Sequence, residues 1–232
     1  MEQLDLSILT LLGKYDTPTI CNALDLAAPD RPRDQGFTRR SMIALDPDLP
    51  PIVGFARTAK ICATKEVSAE EKRELALKYY AYTAESKVPI IIAVEDTDPE
   101  PGLGAHWGEV HTHLHQGLGA VGAITNGAIR DLDDCADNFQ IIAGSVSPSH
   151  AYMHVVEVGN KVNIFGMPVE HNDLIHADKH GAVVIPEHAI EFLPGAIDTI
   201  LKREKKILDA VKEPGFNIES LTKAVNQAAD IH

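Results

Sequence analysis

Between Gly102 and Asp134 the chain places Glu109, then twenty residues, then the dipeptide Arg130-Asp131, with a further carboxylate at Asp134. Gly108-Glu109 falls at the start of a predicted helix running from about Trp107 to Leu118. There the first backbone N–H groups lack partners within the helix and can hold an anion. Arg130-Asp131 follows a short apolar run, Val121–Thr125, and the turn dipeptide Asn126-Gly127, so a strand and turn can return the pair to that helix start. A guanidinium grips a carboxylate at two points, and a neighbouring aspartate offers oxygen to a hard divalent cation. The combination suits a pocket for a metal-chelated carboxylate substrate. The competing reading is that Arg130 and Asp131 fasten a surface turn.

Other reactive side chains are weighed against this pair. The chain has eleven histidines, and His106, His111, His113 and His115 cluster. HxH spacing suits zinc. On a helix, however, His111 and His115 share a face while His113 points elsewhere, so solvated imidazoles beside an acidic pocket are expected. His150, His154, His171, His176 and His180 lack ligand spacing. A Schiff-base aldolase needs a buried lysine of lowered pKa. Lys60, inside an apolar strand segment, is the candidate, set against an edge lysine or a snorkelling one whose stem packs while its ammonium reaches water. Cys21, Cys62 and Cys135 are odd in number and without CxxC spacing, which argues against a disulfide scaffold and for a reducing cytoplasm. No GxGxxG follows an early strand, which disfavours a nicotinamide dehydrogenase.

The elements that must position these groups are interspersed helices and strands. Short helices are expected at Leu6–Leu12 and, behind the cap Asp16-Thr17-Pro18, through about Leu26. A loop follows to Arg40, with strands at Met42–Leu45 and Val53–Ala63. Ser68-Ala69-Glu70-Glu71 is a capping-box sequence opening a helix to about Glu85. Val88–Val94 is the β-branched run of a strand buried on both faces. A polar loop spans Glu95 to Ala105. Beyond Asn126-Gly127, strands are expected at Gln140–Ala143, Tyr152–Val158, Lys161–Phe165 and Ala182–Ile185. A long helix then runs from Pro186-Glu187 to about Lys212, with a short helical tail. The simplest fold is one α/β domain of layered helices on a mixed sheet, with 187–232 as a C-terminal helical extension.

Of 232 residues, 21 are Lys or Arg and 34 Asp or Glu, a net charge of −13, which excludes a basic nucleic-acid or anionic-membrane binder. With 44% hydrophobic and 24% charged residues the composition is that of a globular chain. The N-terminal MEQLDLSILTLLGKYD does not read as a signal peptide, and no run reaches membrane-span length.

The segment WGE…GAVGAITNGAIRD resembles the signature of the RraA-like family, which includes 4-hydroxy-4-methyl-2-oxoglutarate aldolases. A second block, NDLIHADKHGAVVIP from Asn172 to Pro186, resembles that family's glycine- and aspartate-bearing segment, and the likeness covers most of the chain. The resemblance implies a swivelling-type α/β sandwich forming homotrimers or homohexamers with sites between subunits. It implies cleavage of dicarboxylic 2-oxo acids to pyruvate and decarboxylation of oxaloacetate, with Mg²⁺ or Mn²⁺. Carried over by position, Arg130 binds the substrate carboxylate and Asp131 anchors the metal. Backbone amides of Gly108, Glu109, Val110 and His111 line the substrate. Two departures stand out: Glu109 where many of the aldolases have Asp, and His171-Asn172 in place of Pro-Gly before Asp173.

Both reactions leave the pyruvate enolate, whose charge a divalent cation and Arg130 would stabilise. Glu109 is a candidate for the proton transfers. In the C-terminal helix Ile190, Leu193, Ile197, Ile200, Glu204, Ile207 and Val211 form one stripe. The resemblance implies that Glu204 reaches the metal-bound water of an adjacent subunit; the alternative is a salt-bridged interface residue. The non-enzymatic rival is a regulatory binding protein, since the regulator of ribonuclease activity A shares the fold.

Overall fold

The computed structural model describes residues 6–231; of the N-terminal stretch weighed above as a leader, residues 1–5 lie outside it. In chain order the elements are α1 (Ser7–Leu12), α2 (Thr17–Ala27), β1 (Ile43–Ala44), β2 (Ile52–Cys62), α3 (Ala69–Ala84), β3 (Ile90–Asp96), β4 (Ala105–Trp107), α4 (Glu109–Gly117), β5 (Ala120–Thr125), β6 (Ala128–Ile129), β7 (Gln140–Ala143), β8 (Ser145–Val146), β9 (His154–Val158), β10 (Val162–Ile164), β11 (Met167–Val169), β12 (Leu174–Asp178), β13 (Gly181–Ile185), α5 (Leu193–Lys212) and α6 (Ile218–Ala229). They fall into two compact units, one of residues 6–17 and Pro32–Glu187, the other of Pro18–Arg31 and residues 188–231.

The first unit is built on a mixed eight-stranded sheet in the order β1-β7-β5-β3-β2-β12-β13, with β9 also paired to β2. β2, β3, β5 and β7 are parallel. β2 is long enough for two antiparallel partners on its far edge: β12 against Ile52–Phe55, and β9 against Ala59–Cys62. The β-branched run of β3 is buried on both faces, as its composition dictates. Ile90, Ile92 and Val94 enter one core cluster with Tyr79 of α3, Trp107 and Phe139. Ile91 and Ala93 enter the other with Ile124, Ile142 and the β10–β11 hairpin residues Val162, Ile164, Met167 and Val169. Each buried isoleucine contributes about 1.5–3 kcal/mol through area removed from water.

Two of the parallel strands break and continue into a second, three-stranded parallel sheet, β4-β6-β8. β5 passes through Asn126-Gly127 into β6, and β7 passes through Gly144 into β8. Asn126 is therefore not a hairpin turn. Its side chain crosslinks neighbouring strand ends, accepting from Asp96 N at 2.8 Å and donating to Asp96 O at 2.9 Å. A Cβ at Gly144 would collide with Asn126 O, so this close passage requires glycine.

Several short strands have no periodic signal. β4 lies where a loop and helix start were expected, and β6, β8, β11 and β12 were not anticipated. β12 is buried throughout although it carries His176 and Asp178. Thr17 satisfies both: its Oγ1 lies 3.0 Å from His176 Nδ1, and its backbone N donates to Asp178 Oδ2 at 2.8 Å.

The expected continuous helix is interrupted: a single 3₁₀ turn at Glu187–Ala189 precedes α5 of the second unit. α6 opens with a capping box between Asn217 and Ser220. Leu193, Ala196 and Ile197 of α5 and Ala224 and Ala228 of α6 are buried, whereas Val211 at the far end of the stripe is exposed. Arg203 ties the end of the chain down, donating from Nε and Nη2 to Ile231 O. Among the described residues no helix is long and apolar enough to cross a membrane.

Candidate functional site

The small parallel sheet brings Arg130 and Asp131 back to the start of α4. β6 lies beside β4, and Arg130 N donates to Trp107 O at 2.9 Å. A Cβ added to Gly108 would stand 2.5 Å from Asp131 Oδ2 and 3.0 Å from Arg130 Cγ. Gly108 itself is extended, so what it supplies is room rather than an unusual backbone angle. Asp131 does adopt a left-handed conformation, with φ 52°, which a residue bearing Cβ takes up at a cost of about 1–2 kcal/mol. The turn holds it there through Asp134 N and Cys135 Sγ, both bonded to Asp131 O.

The Asp131 carboxylate meets Arg130 Nε at 3.3 Å and Glu109 N at 3.4 Å, both through Oδ2. It thus lies against a free N–H at the positive end of α4, where a carboxylate is favoured. The anion seat that spacing alone assigned to a substrate is occupied by the chain's own aspartate. Arg130 and Asp131 remain 36% and 37% exposed as side chains, so their ion pair is well screened by water. Glu109 and Val110 are exposed on the first turn of α4, and Val110 is one of the most exposed large apolar residues.

His111 points a different way. Its ring lies 4.4 Å from that of His106 and stacks on His115 at 5.8 Å. The expectation of solvated imidazoles is corrected for His106 and His115, which are buried; His113 is exposed. Apolar neighbours explain this: Tyr79, Tyr80 and Trp107 pack around the rings. Burial, aided by the positive charges of Arg130 and Lys72, lowers His111 to about 4. Burial lowers His115 to about 3 against the opposing effect of its Nδ1–H bond to His111 O. Among the described residues no three His, Cys, Asp or Glu side chains form a group able to hold a metal. A magnesium-like ion does not need one, because it takes one or two carboxylates with water and substrate oxygens. Asp131, engaged on one oxygen and open to solvent, fits that requirement.

The remaining candidates lie elsewhere. Lys60 pairs with Glu157 at 2.8 Å across β2 and β9; β2 is flanked there by β3 and β9, so Lys60 is not on an edge, and its ammonium is satisfied by that exposed carboxylate. Glu204 is exposed on α5 and accepts from Asn22 Nδ2 at 3.4 Å within the second unit. The departure at His171-Asn172 has a local reason: Asn172 is left-handed and its Oδ1 accepts from buried Arg57 at 2.5 Å. Asp96 escaped sequence reasoning. Buried at the end of β3, it accepts from Asp98 N and Gly102 N and so shapes the loop leading to β4 and the site. Burial raises its pKa. Its signal was the Glu95-Asp96 pair closing an apolar run.

No curated protein matches the chain. Among solved structures, an uncharacterized protein from Pseudomonas syringae pv. tomato str. DC3000 superposes with a TM-score of 0.71 at 20% identity, covering 95% of this chain and 94% of its own. RraAS2 of Streptomyces coelicolor, described as an unusual member of the RNase ES inhibitor RraA protein family, gives 0.66 at 21%, over 88% and 97%. The RNA-processing inhibitor RraA from Thermus thermophilis gives 0.51 at 16%, over 71% and 90%. These likenesses establish the fold. The RraA-like family model (Aldolase/RraA) matches residues 17–184, most of the chain, and the protein belongs to that family.

Proposed function

We propose that the protein is a divalent-metal-dependent carbon–carbon lyase that releases pyruvate from a small dicarboxylic 2-oxo acid, by retro-aldol cleavage, oxaloacetate decarboxylation or both. One observation carries the reading. Arg130 and a left-handed Asp131 are held against the first turn of α4 by a glycine whose Cβ would displace them. An exposed ion pair contributes little to stability, so backbone strain at this place favours a functional purpose. Arg130 would grip the substrate carboxylate in two-point fashion, and the backbone amides of Gly108, Glu109, Val110 and His111 would line it. Asp131, with Glu204 of an adjacent subunit acting through water, would hold Mg²⁺ or Mn²⁺. Such a cation, when bound, supplies Lewis-acid polarisation of the 2-oxo group. Glu109, exposed beside Asp131, would accept the hydroxyl proton of an aldol substrate. Exposed Val110 and Leu132 on either side suit a trimeric or hexameric assembly in which a neighbouring copy covers the site. A cytoplasmic location accords with three cysteines that are odd in number and lack CxxC spacing.

Pyruvate release from oxaloacetate and from 4-hydroxy-4-methyl-2-oxoglutarate, measured with Mg²⁺ and with EDTA, tests the proposal. EDTA-sensitive turnover that falls at least tenfold in Glu109→Gln for the aldol substrate is expected. Unchanged aldol turnover in that variant would remove Glu109 from the role. No EDTA-sensitive turnover of either acid would favour the second reading, a regulatory binding protein, which two fold neighbours, a member of the RNase ES inhibitor family and an RNA-processing inhibitor, suggest.

A further inference from the structure

His111 and His115 on the inner face of α4, with His106 on β4, form a group of titratable side chains that the proposed chemistry leaves unused. His106, His111 and His115 sit within 4.4–6.4 Å of one another, ring to ring. Tyr79 and Tyr80 of α3 and Trp107 of β4 enclose them. His115 Nδ1–H is committed to the carbonyl of His111, which leaves a lone pair on Nε2. That Nε2, His106 Nε2 and His111 Nδ1 are all buried and, among the described residues, have no hydrogen-bond partner, as is true of Tyr79 Oη and Trp107 Nε1. A proton arriving on any of these rings would place a charge in an enclosure of aromatic rings shielded from water.

We propose that this imidazole stack is an acid-operated latch on α4: packed while neutral, it holds the first turn of the helix against Asp131, and protonation releases that turn. The surrounding charges favour the same direction. Lys72 on α3 and Arg130 after β6 act on His111, and the rings act on one another, all unfavourably toward a further positive charge. Tyr79 and Tyr80, facing from α3, stay neutral because burial raises both. On α4 itself, Glu109 and His113 lie on the exposed side. Opening the helix returns each imidazole to its ordinary pKa near 6.5. Below that pH the opening equilibrium therefore gains about tenfold per pH unit for each ring freed, and about a thousandfold when all three are freed together. Local openings of this kind draw on the low-stability end of a fold. The latch does not depend on which reaction the site performs.

Trp107 is the only tryptophan and touches the stack, so it reports on it directly. The test follows Trp107 fluorescence, far-UV circular dichroism and hydrogen–deuterium exchange of the full chain from pH 7.5 to 4. Exchange is corrected for its intrinsic pH dependence. The expected result is a reversible fluorescence change at a pH where the far-UV signal is intact. Peptides covering 108–117 should lose protection by more than tenfold per pH unit while those covering β3 keep theirs. His111→Leu, at the half-buried position, should make the exchange less steep by about tenfold per pH unit. An α4 that stays protected to pH 4, or that opens only together with β3, would overturn the latch. So would a His111→Leu profile identical to the unsubstituted chain's.

Discussion

Gly108→Ala isolates the geometry on which the functional reading rests. The backbone at 108 is extended and suits alanine, so the substitution introduces no backbone strain. What it introduces is a methyl carbon 2.5 Å from Asp131 Oδ2 and 3.0 Å from Arg130 Cγ. Relief requires the carboxylate to retreat by about 1 Å to reach ordinary van der Waals separation. That retreat lengthens the contacts with Glu109 N, already 3.4 Å, and Arg130 Nε, already 3.3 Å, beyond hydrogen-bonding range. The stability cost is modest: about 0.5–2 kcal/mol for a lost helix-end interaction and under about 1 kcal/mol for an exposed ion pair. The catalytic cost is larger, because a displacement of about 1 Å in a positioned group lowers rates on the order of a hundredfold. Urea unfolding and metal-dependent pyruvate release, measured on one preparation, separate the two. The expected outcome is a Gly108→Ala protein folded at 25 °C with a small shift in midpoint and turnover reduced by about two orders of magnitude. Full turnover would refute the argument, because the pair's placement against α4 would then be irrelevant to the chemistry.

Asn126→Ala removes both crosslinks to the Asp96 backbone and leaves that buried N–H and C=O unpaired. At about 1–3 kcal/mol for each unsatisfied group, a loss of at least 2 kcal/mol in urea unfolding is expected, against under 1 kcal/mol for exposed Asn160→Ala. His115 gives a signed pH dependence. Its folded pKa is about 3 against about 6.5 unfolded, so the unfolded state binds the proton first. Stability is fully present above pH 6.5 and is lost as pH falls toward 3, by about 2 kcal/mol at pH 5. His115→Leu should flatten the stability profile between pH 7 and 5 by that amount, read from urea midpoints at each pH.

The legible parts of this fold were those where one residue pattern serves one purpose. β3 announced itself because burial on both faces demands an unbroken β-branched run, and α3 because Ser68 caps Glu71 N as its sequence indicates. The strands that were missed are those whose stability comes from outside the strand. β12 buries a histidine and an aspartate that Thr17, distant in sequence, satisfies. β6 and β8 are two residues long and exist because the longer parallel strands β5 and β7 feed them, and the three-residue β4 pairs alongside β6. The same reasoning explains the histidines. Helical spacing put His111 and His115 on one face, but whether that face meets water depends on Tyr79 and Tyr80, which come from another element.

The candidate site was legible as a set of residues and misread as an electrostatic arrangement. A free helix N-terminus beside an arginine looks like two positive features awaiting one anion. In the fold Asp131 supplies that anion, so the local sign is nearly balanced before any ligand arrives. A dicarboxylate approaching a chain of net charge −13 therefore meets no ready-made positive pocket. For it to bind, Arg130 must leave Asp131 or divide its single charge between Asp131 and the substrate, and in either case Asp131 needs a new positive partner. A divalent cation at Asp131 meets that need, since the exchange then replaces one screened ion pair by two charge-matched contacts. The metal in the proposed chemistry thus follows from charge balance at the first turn of α4, and substrate affinity should fall with metal removal even before turnover is measured. Binding of a non-cleavable dicarboxylate such as oxalate, followed calorimetrically with Mg²⁺ and with EDTA, measures this. At least a tenfold weaker association in EDTA is expected, and equal affinity in both would show that Asp131 needs no cation when Arg130 leaves it.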